Sequence, residues 1–149
     1  MIAIACDHAG PALKEEIKAM LAEMGEAVKD FGTDTPDSVD YPVYAARAAR
    51  AVASGECDKG IVICGTGIGI SMAANKVKGV RCALCSDSLS AKLTRMHNDA
   101  NMVAVGARVT GPELAKEIVR VFLATPFEGG RHQRRVDMLT ALENGQELE

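Results

Sequence analysis

Apolar positions along the chain follow two alternating rhythms. Short, mostly apolar runs stand at Ile2–Cys6, Ala27–Phe31, Gly60–Cys64, Arg81–Cys85 and Met102–Val105, and each is short enough for a strand. Between them the apolar residues recur every three or four positions. In Pro11–Met24, the residues Leu13, Ile17, Met20, Leu21 and Met24 share one helical face. Pro11 suits a first helical position, and Gly25 follows the last apolar residue. The same rhythm predicts helices at Tyr41–Ala53, Ile70–Val77, Ser88–His97 and Gly111–Leu123, and a last one from Arg131 to Glu143. Strands alternating with helices predict βαβ units, hence an α/β fold with a parallel sheet covered on both faces. The joints are Gly-rich, with no linker, repeat or low-complexity tract. Residues 1–149 therefore read as one domain with a loose tail after Glu143.

Composition narrows the function. Of 149 residues, 48% are hydrophobic and 25% charged, an ordinary balance for one packed core. Aromatics make up 3% and Trp is absent, which argues against stacking platforms for single-stranded nucleic acid. A net charge of −3 gives no general attraction for nucleic acid or anionic membrane. An anionic ligand must then be held by a local positive cluster. No run reaches membrane-spanning length, and the first residues carry no basic region ahead of an apolar stretch, so a cytoplasmic location is expected. Five cysteines, an odd number, suit a reducing compartment.

In parallel sheets ligands sit beyond the carboxyl ends of the strands. The residues there are Asp7-His8-Ala9-Gly10, Gly32-Thr33-Asp34, Gly65-Thr66-Gly67-Ile68-Gly69 after Cys64, Ser86-Asp87 and Gly106-Ala107-Arg108. The Cys64 segment says most. Its three alternating glycines leave backbone N–H groups bare where strand becomes helix, which is an anion-stabilising arrangement. A thiol beside such donors is favoured as thiolate and can serve as base or nucleophile. A cysteine beside a tight turn is more often merely buried, and it is the Gly-Thr-Gly-x-Gly setting that shifts the balance. A dinucleotide-binding loop is the competing interpretation, with Asp87 as a ribose-binding acid. The third glycine fails in both frames, because Ile70 or Met72 stands there. A P-loop fails because no Gly-Lys-Ser/Thr follows.

Further candidates lie elsewhere. Asp7 and His8 suit proton transfer or phosphate contact, although either can cap the helix that opens at Pro11. The run Arg131-His132-Gln133-Arg134-Arg135 places cations at a helix N-terminus, where they oppose the macrodipole unless an anion relieves them. Arg131 and Arg135 are four apart, so two guanidinium forks can share one phosphate. Solvation, or pairing with Glu128 and Asp137, accounts for the same run equally well. His97, Asn98 and Arg108 carry little signal singly. Cys82 and Cys85 have a metal-like spacing, but odd spacing in a strand sends them to opposite faces. Met20, Met24, Met72, Met96 and Met102 are expected as core filler. No ligand set for a metal or organic cofactor stands out. A thiol base, an anion nest, an acid/base pair and a phosphate clamp together suit proton abstraction beside a carbonyl, through an enediolate.

The motifs Cys6–Gly10 (Cys-Asp-His-x-Gly), Asp40–Pro42, Ile63–Ser71 (Ile-Cys-Gly-Thr-Gly-Ile-Gly-Ile-Ser), Ala73–Lys76, His97–Asp99 and Gly129–Val136 appear in order over nearly the whole chain. In this the sequence resembles the type B ribose-5-phosphate isomerases, a family related to the galactose-6-phosphate isomerase subunits. The resemblance implies a Rossmann-like three-layer αβα sandwich on a five-stranded parallel sheet. It implies a cofactor-free, metal-independent aldose–ketose isomerase that shuttles a proton between C1 and C2 of a phosphosugar. Cys64 would be the base. Thr66 and the amides of Gly65, Gly67, Ile68 and Gly69 would steady the enediolate, while His97 with Asp7 would open the furanose ring. His8, Arg131, Arg135 and Arg108 would hold the phosphate, Asn98 and Tyr41 would line the sugar site, and His132 would contribute. The family pattern further implies a homodimer, sometimes paired into a tetramer, with sites shared between subunits. The His97 segment and Arg108 are then expected from the partner. The galactose-6-phosphate subunits generally lack the cysteine and the Asp-His pair, which this chain has. Two alternatives remain at this level: a six-carbon phosphosugar such as allose 6-phosphate, or a non-catalytic phosphate- or nucleotide-binding module.

Overall fold

Strand and helix alternate from one end to the other in a computed structural model that describes all residues, Met1–Glu149. The order is β1 (Ile2–Cys6), α1 (Pro11–Glu23), β2 (Val28–Asp30), α2 (Tyr41–Ala53), β3 (Lys59–Cys64), α3 (Ile68–Ala74), β4 (Cys82–Leu84), α4 (Ser88–Asn98), β5 (Met102–Gly106), α5 (Pro112–Ala124) and α6 (Arg131–Glu143). All neighbouring strands are parallel, in the order β2-β1-β3-β5-β4. The α/β class and the five-stranded parallel sheet are as expected. The strand order is new: β5 inserts between β3 and β4. The two outermost strands, β2 and β4, are shorter than their apolar runs, since each has a neighbour on one side only.

Alternation along the strands builds two cores. Ile2, Ile4, Ile61, Ile63, Val103 and Val105 point to one face, where α1, α4 and α5 cover them with Ile17, Leu21, Ala91, Ile118 and Phe122. Ala3, Ala5, Val62, Met102 and Ala104 point to the other, against α2 and α3. There the partners are small as well: Ala45, Ala48 and Ala49 of α2 are fully buried. An alanine face lets a helix lie close on a sheet of small side chains, so this layer is thin where the first is thick. Helix α6 packs outside both layers, on α4.

Two expectations about sulfur need revision or support. Met20 and Met102 are core residues, but Met24 and Met72 are exposed. Met24 caps the C-terminus of α1, and Met72 lies on the solvent side of α3, so helical spacing alone overstated their burial. Cys82 and Cys85 do belong to opposite cores, as the odd spacing required. All five cysteines are free.

One polar group is fully buried by design. Lys14 of α1 donates to Asp30 Oδ1 at 2.9 Å, to the Thr33 carbonyl at 2.7 Å and to Asp34 Oδ1 at 2.7 Å. Its three donors are thus all used, which is what permits an ammonium at zero exposure. The ion ties α1 to the loop after β2. No helix is long and apolar enough to cross a membrane.

Candidate functional site

β3 ends at Cys64, and the turn Gly65–Gly67 hands the chain to α3. Gly67 takes a left-handed conformation, φ 80°, and its N–H donates to the Cys64 sulfur at 3.1 Å. A side chain at Gly67 would strain the backbone and bring Cβ within 2.5 Å of Leu84 Cδ1. The N–H groups of Gly65, Thr66, Gly69 and Ile70 find no acceptor within the chain. Thr66 Oγ1 accepts from the Ile68 N–H at 3.2 Å, which leaves its hydroxyl proton free to donate outward. A buried sulfur therefore sits under one committed amide and beside four free ones. The remaining cysteines lack this setting: burial pushes the Cys6 thiol up to about 12 and the Cys85 thiol up to about 11, and raises Cys82 and Cys57 too.

The end of β1 and the start of α2 bring three predicted residues to this turn. β1 runs beside β3, with Cys6 opposite Ile63, and the Asp7 N–H donates to the Ile63 carbonyl at 3.0 Å. Buried Asp7 therefore lies just past the end of β1, level with the Cys64 end of β3. Its Oδ1 accepts the Ala9 N–H at 2.9 Å, and α1 has no side-chain cap at Gly10, so Asp7 shapes its own turn rather than capping the helix. His8 Nδ1 accepts the Val39 N–H at 3.1 Å, which places the proton of the neutral ring on Nε2. Tyr41, in the first turn of α2, lays its ring on Gly69: a Cβ there would come within 2.7 Å of Cζ.

Arg108 stands at this turn too. It follows β5, which is the other neighbour of β3; its N–H donates to the Gly65 carbonyl at 2.9 Å, and a Cβ at Gly65 would lie 3.2 Å from its Nη1. The expectation that Arg108 arrives with the partner's His97 segment is corrected here. The β3–β5 pairing fixes Arg108 to the Cys64 turn of its own chain. Asp87 has a different task from the ribose contact considered above: it caps α4, accepting from the Ser90 N–H at 2.6 Å and its hydroxyl at 2.8 Å.

The other predicted residues form a second group, on α4 and α6. The ring of His97 stacks on that of His132, centroids 4.3 Å apart and planes 15° from parallel. His132 is buried, and its Nε2 lies 3.3 Å from Glu128 Oε2. Asn98 is exposed beside His97. Arg131 and Arg135 are exposed one turn apart at the start of α6, and neither has an acidic partner. No hydrogen bond, ion pair or ring contact joins this group to the Cys64 turn. One chain thus carries two sets of functional groups: thiol, acid, imidazole and amides in one, imidazoles and a guanidinium pair in the other.

Comparison with known proteins places this arrangement. The family model described as Ribose/Galactose Isomerase matches residues 2–139. The chain belongs to that family. It is 56% identical to ribose-5-phosphate isomerase B of Escherichia coli (strain K12), with 95% of each chain covered. Its fold matches the ribose-5-phosphate isomerase B structure from Clostridium thermocellum with a TM-score of 0.95 and 52% identity, covering 97% of both chains. It also matches the Mycoplasma genitalium enzyme, solved with bound ribulose-5-phosphate, with a TM-score of 0.92 and 42% identity over 96% of this chain and 95% of that one.

Three contributors within this family member escaped sequence reasoning. Val39 acts only through its backbone N–H, which leaves no trace in residue type. Gly106 lets the β5 end approach the turn, since a Cβ there would meet the Thr66 carbonyl carbon at 2.5 Å. Glu128 read as one more acid near a basic run. A signal existed for it alone, in its spacing of four from His132.

Proposed function

We propose that this chain is an aldose–ketose isomerase that interconverts D-ribose 5-phosphate and D-ribulose 5-phosphate, a step of pentose phosphate metabolism. One observation carries the proposal: the Cys64 sulfur, under the Gly67 amide and among free N–H donors, in a chain more than half identical to a ribose-5-phosphate isomerase B. Cys64 takes the proton from C2 of the open-chain aldose and returns it to C1, while the proton of the C2 hydroxyl passes to the C1 oxygen, so that the carbonyl moves from C1 to C2. The enediolate oxygens are met by the free amides of the turn, including Gly65 and Gly69, and by the Thr66 hydroxyl, donors already in place before charge develops. Gly67 and Ile68 shape that turn, their own N–H groups being spent on Cys64 and Thr66.

The two sets of groups become one site when two copies of the chain meet. His97 of one copy, with Asp7 of the other, opens the furanose ring by moving a proton from the anomeric hydroxyl to the ring oxygen. Arg131 and Arg135 grip the phosphate as a bidentate pair, joined by His8 and by Arg108 from the side of the thiol. Asn98 and Tyr41 line the sugar, and His132 steadies His97. Residues 1–149 act as one isomerase domain in a cytoplasmic homodimer. None of these steps is assigned to a metal or an organic cofactor.

The test is conversion of ribose 5-phosphate to ribulose 5-phosphate by purified protein with chelator present, with allose 6-phosphate assayed in parallel. Efficient turnover of the five-carbon sugar is expected. Turnover of the six-carbon sugar alone would keep the mechanism and change the substrate; turnover of neither would overturn the assignment.

A further inference from the structure

His97, His132 and Glu128 lie so that one ligand atom of each is within 4.8 Å of the other two. The set is held in place from both sides. His97 is on the last turn of α4, and the Glu128 N–H donates to the carbonyl of Met96, its neighbour, at 3.1 Å. The same loop runs into α6, where the His132 N–H donates to the Gly129 carbonyl at 3.1 Å and the buried ring is fixed. The donors are two imidazole nitrogens and one carboxylate. That is the ligand set of three-residue zinc sites, which keep a fourth position open for water. Imidazole nitrogen selects zinc and its first-row neighbours over magnesium or calcium.

We propose that His97, Glu128 and His132 form a binding site for a divalent transition ion, zinc above all, and that an ion bound there switches the isomerase off. Tetrahedral ligands at zinc bond lengths of about 2.0–2.1 Å stand about 3.3 Å from each other, so the set must contract by about 1.5 Å at most. The movable parts permit it. Glu128 is exposed, and His97 is half-buried and bound to its surroundings by stacking alone. Its ring must turn out of the parallel stack, because side-by-side imidazoles aim their lone pairs in parallel. Once turned, both the stack and the nitrogen needed for ring opening are lost. The only other comparable cluster, Glu15, Asp30 and Asp34, is already neutralised by Lys14 and Lys18.

Binding stands on the geometry alone, whereas the inhibition rests on the role proposed for His97. The experiment separates them. Chelator-stripped full-length protein is titrated with zinc sulfate by calorimetry and with cobalt chloride by absorption, and turnover is followed over the same concentrations. Because the Cys64 thiol is a rival ligand, the titrations are repeated on Cys64→Ser. One ion per chain should bind to both proteins at micromolar concentration, without a thiolate-to-cobalt charge-transfer band. Glu128→Gln, an exposed and isosteric change, should weaken it by about tenfold or more, and His132→Ala should abolish it. Zinc should halt wild-type turnover, and chelator should restore it. Binding that disappears in Cys64→Ser, or that is unaltered in Glu128→Gln, overturns the site. Binding at these residues with undiminished turnover overturns the switch. Zinc binding to a protein that never isomerises a pentose phosphate would leave the site standing and sink the assigned function instead.

Discussion

At the scale of single residues, chemistry is confined to positions where the backbone supplies what the side chain lacks. Cys64 is the clearest case. Four other cysteines are held as thiols by burial, and only this one has an amide directed at its sulfur. Cys64→Ala should lower kcat by about 10²–10⁴-fold, the usual worth of a proton-transferring group, while phosphosugar affinity measured by calorimetry is nearly unchanged. Near-normal kcat would remove Cys64 from the mechanism. Gly69 tests the wall that it forms with Tyr41. An added Cβ would stand 2.7 Å from the Tyr41 ring, so Gly69→Ala must displace that ring and raise KM. If displacement of the ring is the whole effect, adding Gly69→Ala to a Tyr41→Ala variant should raise KM little further. The Cys64 turn was legible in the sequence, because a cysteine followed by alternating glycines is visible as letters. The Val39 amide and the closeness of Gly106 to Thr66 were not, since both are consequences of strand neighbours that sequence does not order.

Elements, at the next scale, were predicted almost completely, and their departures have physical causes. β2 and β4 shrink because they are outermost, and α3 begins early because Gly67 can adopt a left-handed start. The order of strands was not legible at all: alternating apolar runs specify strands, not who pairs with whom. The Lys14 cluster shows how elements are joined without apolar contact. Burial alone would raise the Asp30 carboxyl, but hydrogen bonds from Lys18, the Gly32 N–H and Lys14 outweigh it and hold it below its ordinary value of 3.8. A depressed carboxylate stabilises the fold fully above its ordinary value and loses that contribution as pH falls through the lowered one. Lys14→Met leaves the Thr33 carbonyl with only the weak Cys6 thiol as donor and takes the buried cation from Asp30 and Asp34, and should cost roughly 1–3 kcal/mol at neutral pH in urea unfolding. Asp30→Asn should lose stability at neutral pH and show a flatter decline on acidification below about pH 4. An acid limb identical to wild type would assign acid sensitivity to other carboxylates.

For the whole molecule, the decisive fact is that the Cys64 thiol and the Arg131–Arg135 guanidinium pair sit in separate groups on one chain. The resemblance to a family pattern implies a shared site, whereas composition and periodicity are silent on it, because nothing in a single sequence reports where a second copy sits. A shared site makes a sharp prediction. Cys64→Ala and His97→Asn proteins, each inactive, should regain activity when unfolded together and refolded. In a mixed dimer one site has both mutations and the other has neither, so the mixture recovers up to about a quarter of wild-type activity. Refolded separately and then combined, they should stay inactive while the dimers do not exchange. No recovery in co-refolded protein would place all catalytic groups in one subunit.

The insertion of β5 between β3 and β4 also has a consequence for synthesis. Strands β1, β2 and β3 can assemble as soon as Cys64 has emerged, but the open edge of β3 must wait for Met102–Gly106. At ordinary translation speeds of about 5–20 residues per second, that edge stays unpaired for roughly two to eight seconds. All the while it is an apolar strand of Ile61, Val62 and Ile63 on offer to any nascent neighbour. β4, although made earlier, has no seat until β5 arrives. Ribosome pausing or truncation between Gly65 and Asn101 therefore exposes the most aggregation-prone intermediate this chain can make, and the final third of the protein acts as the stopper for its own first half.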